Sequence, residues 1–283
     1  MTTDLDKLLS NLQIEQIDKY LFIGQSPRFP ARVFGGQVLA QALNAALRTV
    51  DAERIAHSMH AYFLRPGNPK KQIVYEVDPI RDGRGFTTRR VVAKQDGRAI
   101  FNTSISFQVP ESGPEHQFDA PDYPLPEALE SDLSFWARMA EEHPDRFDPL
   151  PAYPIERHPV IRPDYLAPEQ DIGPPHTACW LRANGSMGDD LIQHQTVLAY
   201  MSDMTLMGSA MRPHPINNRS KDMMFASLDH ALWFHRPLRA DEWLIYVHDS
   251  PAAAGARGFT RGTFYTREGE LVASVAQEAL MRI

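Results

Sequence analysis

Apolar residues recur along this chain with two different periods. "GGQVLAQALNAAL" (35–47) and "HQTVLAYMSDMTLMGSAM" (194–211) are apolar nearly all round. That pattern predicts two helices buried on every side, not surface helices with one wet face. Between and after them the period drops to two. "IVYEVDPIR" (73–81) and "WLIYVHD" (243–249) alternate apolar with polar, which predicts strands with one covered face. The turns "QDG" (95–97) and "REG" (267–269) lead into further strand-like runs, "AIFNTSISFQV" (99–109) and "ELVASVAQEALM" (270–281).

These elements form two copies of one pattern. "MHAYFLRP" (59–66) aligns without gaps on "HALWFHRP" (230–237), matching Tyr62 with Trp233, Phe63 with Phe234 and Arg-Pro with Arg-Pro. "RGFTTR" (84–89) and "RGFTRG" (257–262) follow after 18 and 20 residues. A helix and then about four strands, twice over, indicates an internal duplication. A sheet curled around each helix would bury it. Two such units side by side predict an α+β chain in which one antiparallel sheet wraps two long central helices.

Between the copies, 14 of the 23 prolines fall from Pro110 to Pro175. The predicted organisation is therefore an N-terminal unit (1–112), a proline-rich connector (113–175) and a C-terminal unit (176–283). The connector is too long for a plain loop. It contains one predicted helix, 126–143, with Pro126 in its first turn and Leu129, Leu133, Trp136 and Ala140 toward a core.

Charge and composition narrow the field. A net charge of −7 argues against nucleic acid as a partner. The start, "MTTDLDKLLSNLQIEQ", has early acids and no long apolar run, unlike a signal peptide. No stretch is long enough for a membrane-spanning helix. Cys179 is the single cysteine, so no internal disulfide or cysteine metal cluster is expected. There is no G-x-S-x-G, H-E-x-x-H or Walker string, and nothing asks for a metal or another cofactor. A cytoplasmic protein is expected, and the final "MRI" is not a peroxisomal address.

One acid stands out. "LAYMSDMTLMGSAM" (198–211) holds a single charge, Asp203. If the stretch is one helix, its neighbours a turn away are Ala199, Tyr200, Leu206 and Met207, and none neutralises a carboxylate. Such an acid must carry a raised pKa or be held by hydrogen bonds. Candidate donors are Ser227, which opens "SLDHALWFHRP", and Gln277, which interrupts the apolar run "LVASVAQEAL". Three neighbours in a strand do not converge on one point, so Ser227, Asp229 and His230 are not read as a catalytic triad.

The strings "FGGQVLAQAL", "HSMHAYFLRPG", "RDGRGFTTRRV", "SLDHALWFHRP", "ARGFTRGTFYT" and "VASVAQEALMR", in this order, resemble the type II acyl-CoA thioesterase family. The similarity runs through both halves and leaves only the connector weakly matched. The resemblance implies a tandem (double) hotdog fold and hydrolysis of fatty acyl-CoA to free acid and CoA by direct attack of water. It also implies Asp203, Ser227 and Gln277 as the active site, with no cofactor. Assembly as a homodimer or a dimer of dimers is expected, since free sheet edges need cover. Serine stands at 227 where the family pattern has threonine. The hydroxyl survives, and the lost methyl frees its rotamer.

Other residues have more than one reading. Gly35 and Gly36 in "FGGQ" suit a substrate-binding role, offering helix N-terminal N–H groups to a developing oxyanion, and equally a helix-start turn. His57 is a candidate residue at the substrate-binding edge. With His60 three positions on, the two rings are expected on opposite faces. Arg65, Arg84, Arg236 and Arg257 recur at matching positions, which favours a shared structural job over CoA phosphates. Met201, Met204 and Met207 suit a core or an acyl tunnel. Two rival functions stay open: a non-catalytic acyl-CoA or acyl-carrier binding protein, and a double-hotdog enoyl-CoA hydratase.

Overall fold

The two repeated strings meet at the centre of the molecule. In the computed structural model, which describes residues 2–27, 32–151, 153–167, 171–217, 220 and 223–282, strand β3 (Ile55–Phe63) lies antiparallel to β10 (Asp229–Phe234). The register sets His60 against Ala231 and Met59 against Leu232. An approximate twofold axis therefore passes between the copies. On one side β6 (Arg98–Gln108), β5 (Phe86–Gln95), β4 (Ile73–Asp82), β2 (Leu21–Gly24) and β1 (Glu15–Asp18) extend the sheet. On the other, β13 (Leu271–Arg282), β12 (Arg257–Thr266), β11 (Leu244–Ala254), β8 (His176–Ala183) and β7 (Ile155–Pro159) do the same. The short β9 (Met224–Ser227) adds to β13. All pairings among the described residues are antiparallel.

The concave side of this sheet holds α2 (Gly35–Leu47) and α4 (Leu191–Ser202), which pack on each other. Both are buried nearly all round, as their sequences require. Gly36 allows the close approach: a Cβ there would lie 2.4 Å from the Tyr200 carbonyl oxygen. The amphipathic α1 (Asp4–Leu12) covers both helices with Leu5, Leu8 and Leu12, started by a Thr3 capping box. The arrangement is the expected double hotdog. Two strands also precede each of these helices, β1 and β2 before α2 and β7 and β8 before α4, beyond the expected four. No helix among the described residues is long and apolar enough to cross a membrane.

Two helices differ from expectation. The predicted 194–211 helix is two: α4 ends at Ser202 and α5 spans Gly208–Met211. Asp203 is the C-cap, and Thr205 turns the chain at φ +64°. The residues at the break, "DMTLM" (203–207), include no glycine or proline, so periodicity gives no sign of it. In the connector, the predicted 126–143 helix is a 3₁₀ turn, Pro126–Ala128, followed by α3, Asp132–Glu142, capped by Ser131. Phe135, Trp136 and Met139 are its buried residues, while Leu133 is 51% exposed.

Candidate active site

Asp203 borders a cavity of about 910 Å³. Phe34, Gly35 and Phe63 from the first half line it, with Leu206, Met207 and Ser227 from the second. The connector closes another side with Trp136, Leu150, Tyr153 and Tyr165. Arg157 and Arg162 stand in that wall and share Asp132, the first residue of α3. The walls are mainly apolar, and among their charges Arg157 and Arg162 pair with Asp132 and Arg212 with Asp171.

From Asp203 a chain of hydrogen bonds runs along the cavity wall through Ser227 and Gln277 and then into the protein. Ser227 Oγ donates to Asp203 Oδ1 at 3.3 Å. Gln277 Nε2 donates to Ser227 Oγ at 3.2 Å. Gln277 Oε1 lies 2.7 Å from His230 Nδ1, and His230 Nε2 lies 2.9 Å from Ser202 Oγ. Ser202, His230 and Gln277 are each at most 1% exposed.

Strand geometry explains why these groups meet. Along β13 the inward positions alternate, and Gln277 takes one of them between Val275 and Ala279. Ser227 pairs with Ala279 and Ala231 with Ala276. Three residues, Leu228 to His230, therefore oppose two, Gln277 and Glu278. The extra residue is a bulge, and it turns Ser227 and His230, three apart, to the same inner face. The expectation that neighbours in this strand do not converge is correct for Asp229, whose Oδ1 accepts from the Glu278 N–H at 2.7 Å. His230 does reach the site, through Gln277 and not through Ser227.

Burial raises the Asp203 carboxyl from 3.8 to about 7, opposed by the Ser227 hydroxyl, the Gly36 N–H and the Arg32 charge. Protein surrounds the group, yet part of its surface opens to the cavity, so water can reach it. Burial lowers His230 to about 4, with Gln277 opposing, so the ring is neutral at physiological pH. His248, which also lines the cavity, is lowered to about 3 by burial.

The glycines touch the same carboxylate. The Gly36 N–H favours the charged form of Asp203, so the positive end of α2 faces it. A Cβ at Gly35 would fall 2.6 Å from Asp203 Oδ2. The N–H groups of Gln37 and Val38 both reach back to Phe34 O.

Not every candidate joins the site. His57 is absent from the described cavity wall. It is the bulged residue of β3, between the Ala56–Phe107 and Ser58–Ser106 pairs. It bonds Ser106 Oγ and packs edge-on to Phe86. The bulge puts it on the outer face with His60, so the predicted opposite facing does not occur. Met207 lines the cavity, whereas Met201 and Met204 are core. Arg65 and Arg236 do share a job: each donates to a carbonyl of the neighbouring strand, Ala99 O at 2.7 Å and Leu271 O at 2.9 Å. Sequence reasoning missed His230, Ser202 and Arg32. For His230 a signal existed, a polar residue at an inward position of "DHALWF".

The chain matches two family descriptions, "Acyl-CoA thioesterase N-terminal domain" over residues 25–108 and "Acyl-CoA thioesterase" over residues 154–280. It is 36% identical over 285 residues to acyl-CoA thioesterase 2 of Haemophilus influenzae, covering 100% of this chain and 99% of the relative. It is 38% identical to acyl-coenzyme A thioesterase 8 of Mus musculus, covering 100% and 92%. The crystal structure of the acyl-CoA thioesterase II TesB2 of Mycobacterium marinum superposes with a TM-score of 0.80 at 39% identity, covering 97% and 98%. The chain belongs to the acyl-CoA thioesterase family.

Proposed function

We propose that this protein hydrolyses fatty acyl-CoA to free acid and CoA, with Asp203 as the base and Ser227 and Gln277 positioning the attacking water. The observation that carries the reading is the Asp203–Ser227–Gln277 chain at the wall of a largely apolar cavity. A carboxyl raised to about 7 is well matched to taking a proton from water near neutral pH. Water forms the new C–O bond while its proton passes to Asp203. The tetrahedral oxyanion needs a donor. Gly35 N–H, the first of α2, is the one we assign, since those of Gly36, Gln37 and Val38 are engaged. Collapse breaks the C–S bond, and the proton held by Asp203 goes to the departing sulfur.

The serine at 227 fits this reading. A threonine methyl would restrict the rotamer, but here two hydrogen bonds hold the hydroxyl. Members of this family are thioester hydrolases, and the halves 1–112 and 176–283, a cytoplasmic location and homo-oligomeric assembly belong to the same proposal.

The test is release of free thiol from acyl-CoAs of increasing length by wild type and Asp203→Asn. Wild type should turn over and the variant should bind acyl-CoA with turnover reduced by about 10³-fold or more. Equal rates would remove Asp203 as the base. Bound acyl-CoA with no release by either protein would instead make the chain a binder.

A further inference from the structure

Gln277 has two chemically different ends, one accepting and one donating, and its use in the site depends on which end faces Ser227. We infer that His230 is the positioning residue that sets this choice, by donating Nδ1–H to Gln277 Oε1. The inference rests on the proposed roles of Asp203, Ser227 and Gln277. His230 does not line the cavity, so it acts only through Gln277.

The argument is a proton count. An ionised Asp203 only accepts, so Ser227 gives it its single proton. Ser227 then accepts from Gln277 Nε2. This leaves Oε1 facing His230 at 2.7 Å, where Nδ1 must carry the proton. A neutral imidazole has one N–H, so Nε2 accepts from Ser202 Oγ at 2.9 Å. Ser202 has one proton and a second acceptor at the same distance, Ala199 O.

Giving that proton to Ala199 O reverses every link. His230 then carries Nε2–H toward Ser202, its bare Nδ1 faces the Gln277 NH₂ group, and Oε1 takes the Ser227 proton. Asp203 must now hold a proton to donate to Ser227. The chain thus has two self-consistent polarities, one for each charge state of Asp203. Passing between them moves the imidazole proton from Nδ1 to Nε2 and turns the Gln277 amide over. Only the first polarity leaves Asp203 ready to act as a base.

The fold itself does not require a polar group here. Met59, which aligns with His230 in the repeated strings, is fully buried in the first half. An apolar side chain at 230 would leave Oε1 unclaimed. The amide could then offer Oε1 to Ser227, draw the hydroxyl proton away from Asp203 and raise the pH at which the base ionises.

The other titratable groups around Asp203 are few. Arg32 acts on it as a cation, while Tyr200 on α4 and Tyr246 on β11 are phenols raised by burial. Tyr246 also donates to Ser202 O at 2.8 Å. His248 of β11 lines the same cavity. None of these reaches Gln277 Oε1 with a hydrogen bond among those described.

Two measurements test the inference. Ring-nitrogen NMR on the ¹⁵N-histidine-labelled full chain reads the His230 tautomer directly, with assignment by His230→Asn. We expect Nδ1–H above the Asp203 titration and Nε2–H below it. Nε2–H at high pH would overturn the proposal, whatever the variants do. Kinetics supply the second reading. Asn carries its amide near the place of Nδ1, Gln carries it near Nε2, and Leu carries none. His230→Asn should keep the acid limb of kcat/KM at the wild-type pH. His230→Gln and His230→Leu should move it up by about one pH unit, a loss of about fivefold at pH 7 that is recovered at higher pH with KM unchanged. An equal loss in all three at every pH would mean a purely structural role. Turnover by Asp203→Asn would sink the catalytic reading, while the tautomer measurement would still judge His230 on its own.

Discussion

The two halves share a fold, a bulge and a register, and differ in the few side chains that carry chemistry. In the first half Ala56 pairs with Phe107, a bulge follows, and Met59 pairs with Ile105. In the second, Ser227 pairs with Ala279, a bulge follows, and His230 stands beside Gln277. Ala56, Met59 and Ile105 thus occupy the places of Ser227, His230 and Gln277, and all three are at most 1% exposed. The repeat "VLA" (38–40 and 197–199) likewise sets Asn44 against Asp203. The fold provides this bulge twice, with the residues on either side of it facing inward. Polar residues fill it once, and the cavity opens there. The bulge is therefore a property of the fold, and the proposed chemistry is a property of the residues placed on it.

The largest effect should come from erasing that difference. Ser227→Ala, His230→Met and Gln277→Ile together give the second half the residues of the first. Thiol release should fall about 10³-fold or more. The melting temperature should hold or rise, because replacing Ser227, His230 and Gln277 together leaves none of the three with a broken hydrogen bond, whereas replacing one does. Gln277→Ile alone leaves His230 Nδ1 unpaired and removes the hydrogen bond that Ser227 accepts, and should cost about 1–3 kcal/mol of stability in denaturant unfolding. If the triple variant is the less stable of the two, the network is structural and the comparison fails.

A smaller effect separates the two glycines of α2. A Cβ at Gly35 meets the Asp203 carboxylate, whereas one at Gly36 meets the Tyr200 backbone oxygen. Gly35→Ala should lower kcat by about tenfold with stability nearly kept. Gly36→Ala should destabilise the contact between α2 and α4 by about 1–3 kcal/mol. Thermal unfolding and kinetics on the two variants check this, and a reversed pattern would contradict the placement of the carboxylate.

A further effect is on stability as pH changes. Asp203 holds its proton more tightly folded, at about 7, than unfolded, at 3.8. Its contribution is therefore fullest below 3.8 and is lost as pH rises toward 7. Asp203→Asn should flatten that decline. An unchanged slope in urea unfolding between pH 4 and 7 would show that the carboxyl is not desolvated as described.

Much of this was legible in the sequence, for identifiable reasons. Helix α2 (Gly35–Leu47) has the predicted bounds because "GG" marks its start and apolar residues fill it. The duplication was visible because Arg65 and Arg236 perform one structural task twice. Asp203 and Gln277 were visible as polar residues on apolar faces. The break after Ser202 was not, since "DMTLM" carries no stop signal and a β-branched residue takes the positive φ. The bulges were not legible either, because period-two alternation has no mark for one extra residue. That single residue turned His57 outward in the first half and brought His230 to Gln277 in the second.

The most direct test of the account is the pH dependence of kcat/KM for thiol release by the wild-type protein. A desolvated Asp203 acting as base predicts a single ionisation, with activity rising tenfold per pH unit below about 7 and level above it. A profile that is flat down to pH 5, with its fall near the ordinary carboxylate range, would contradict it.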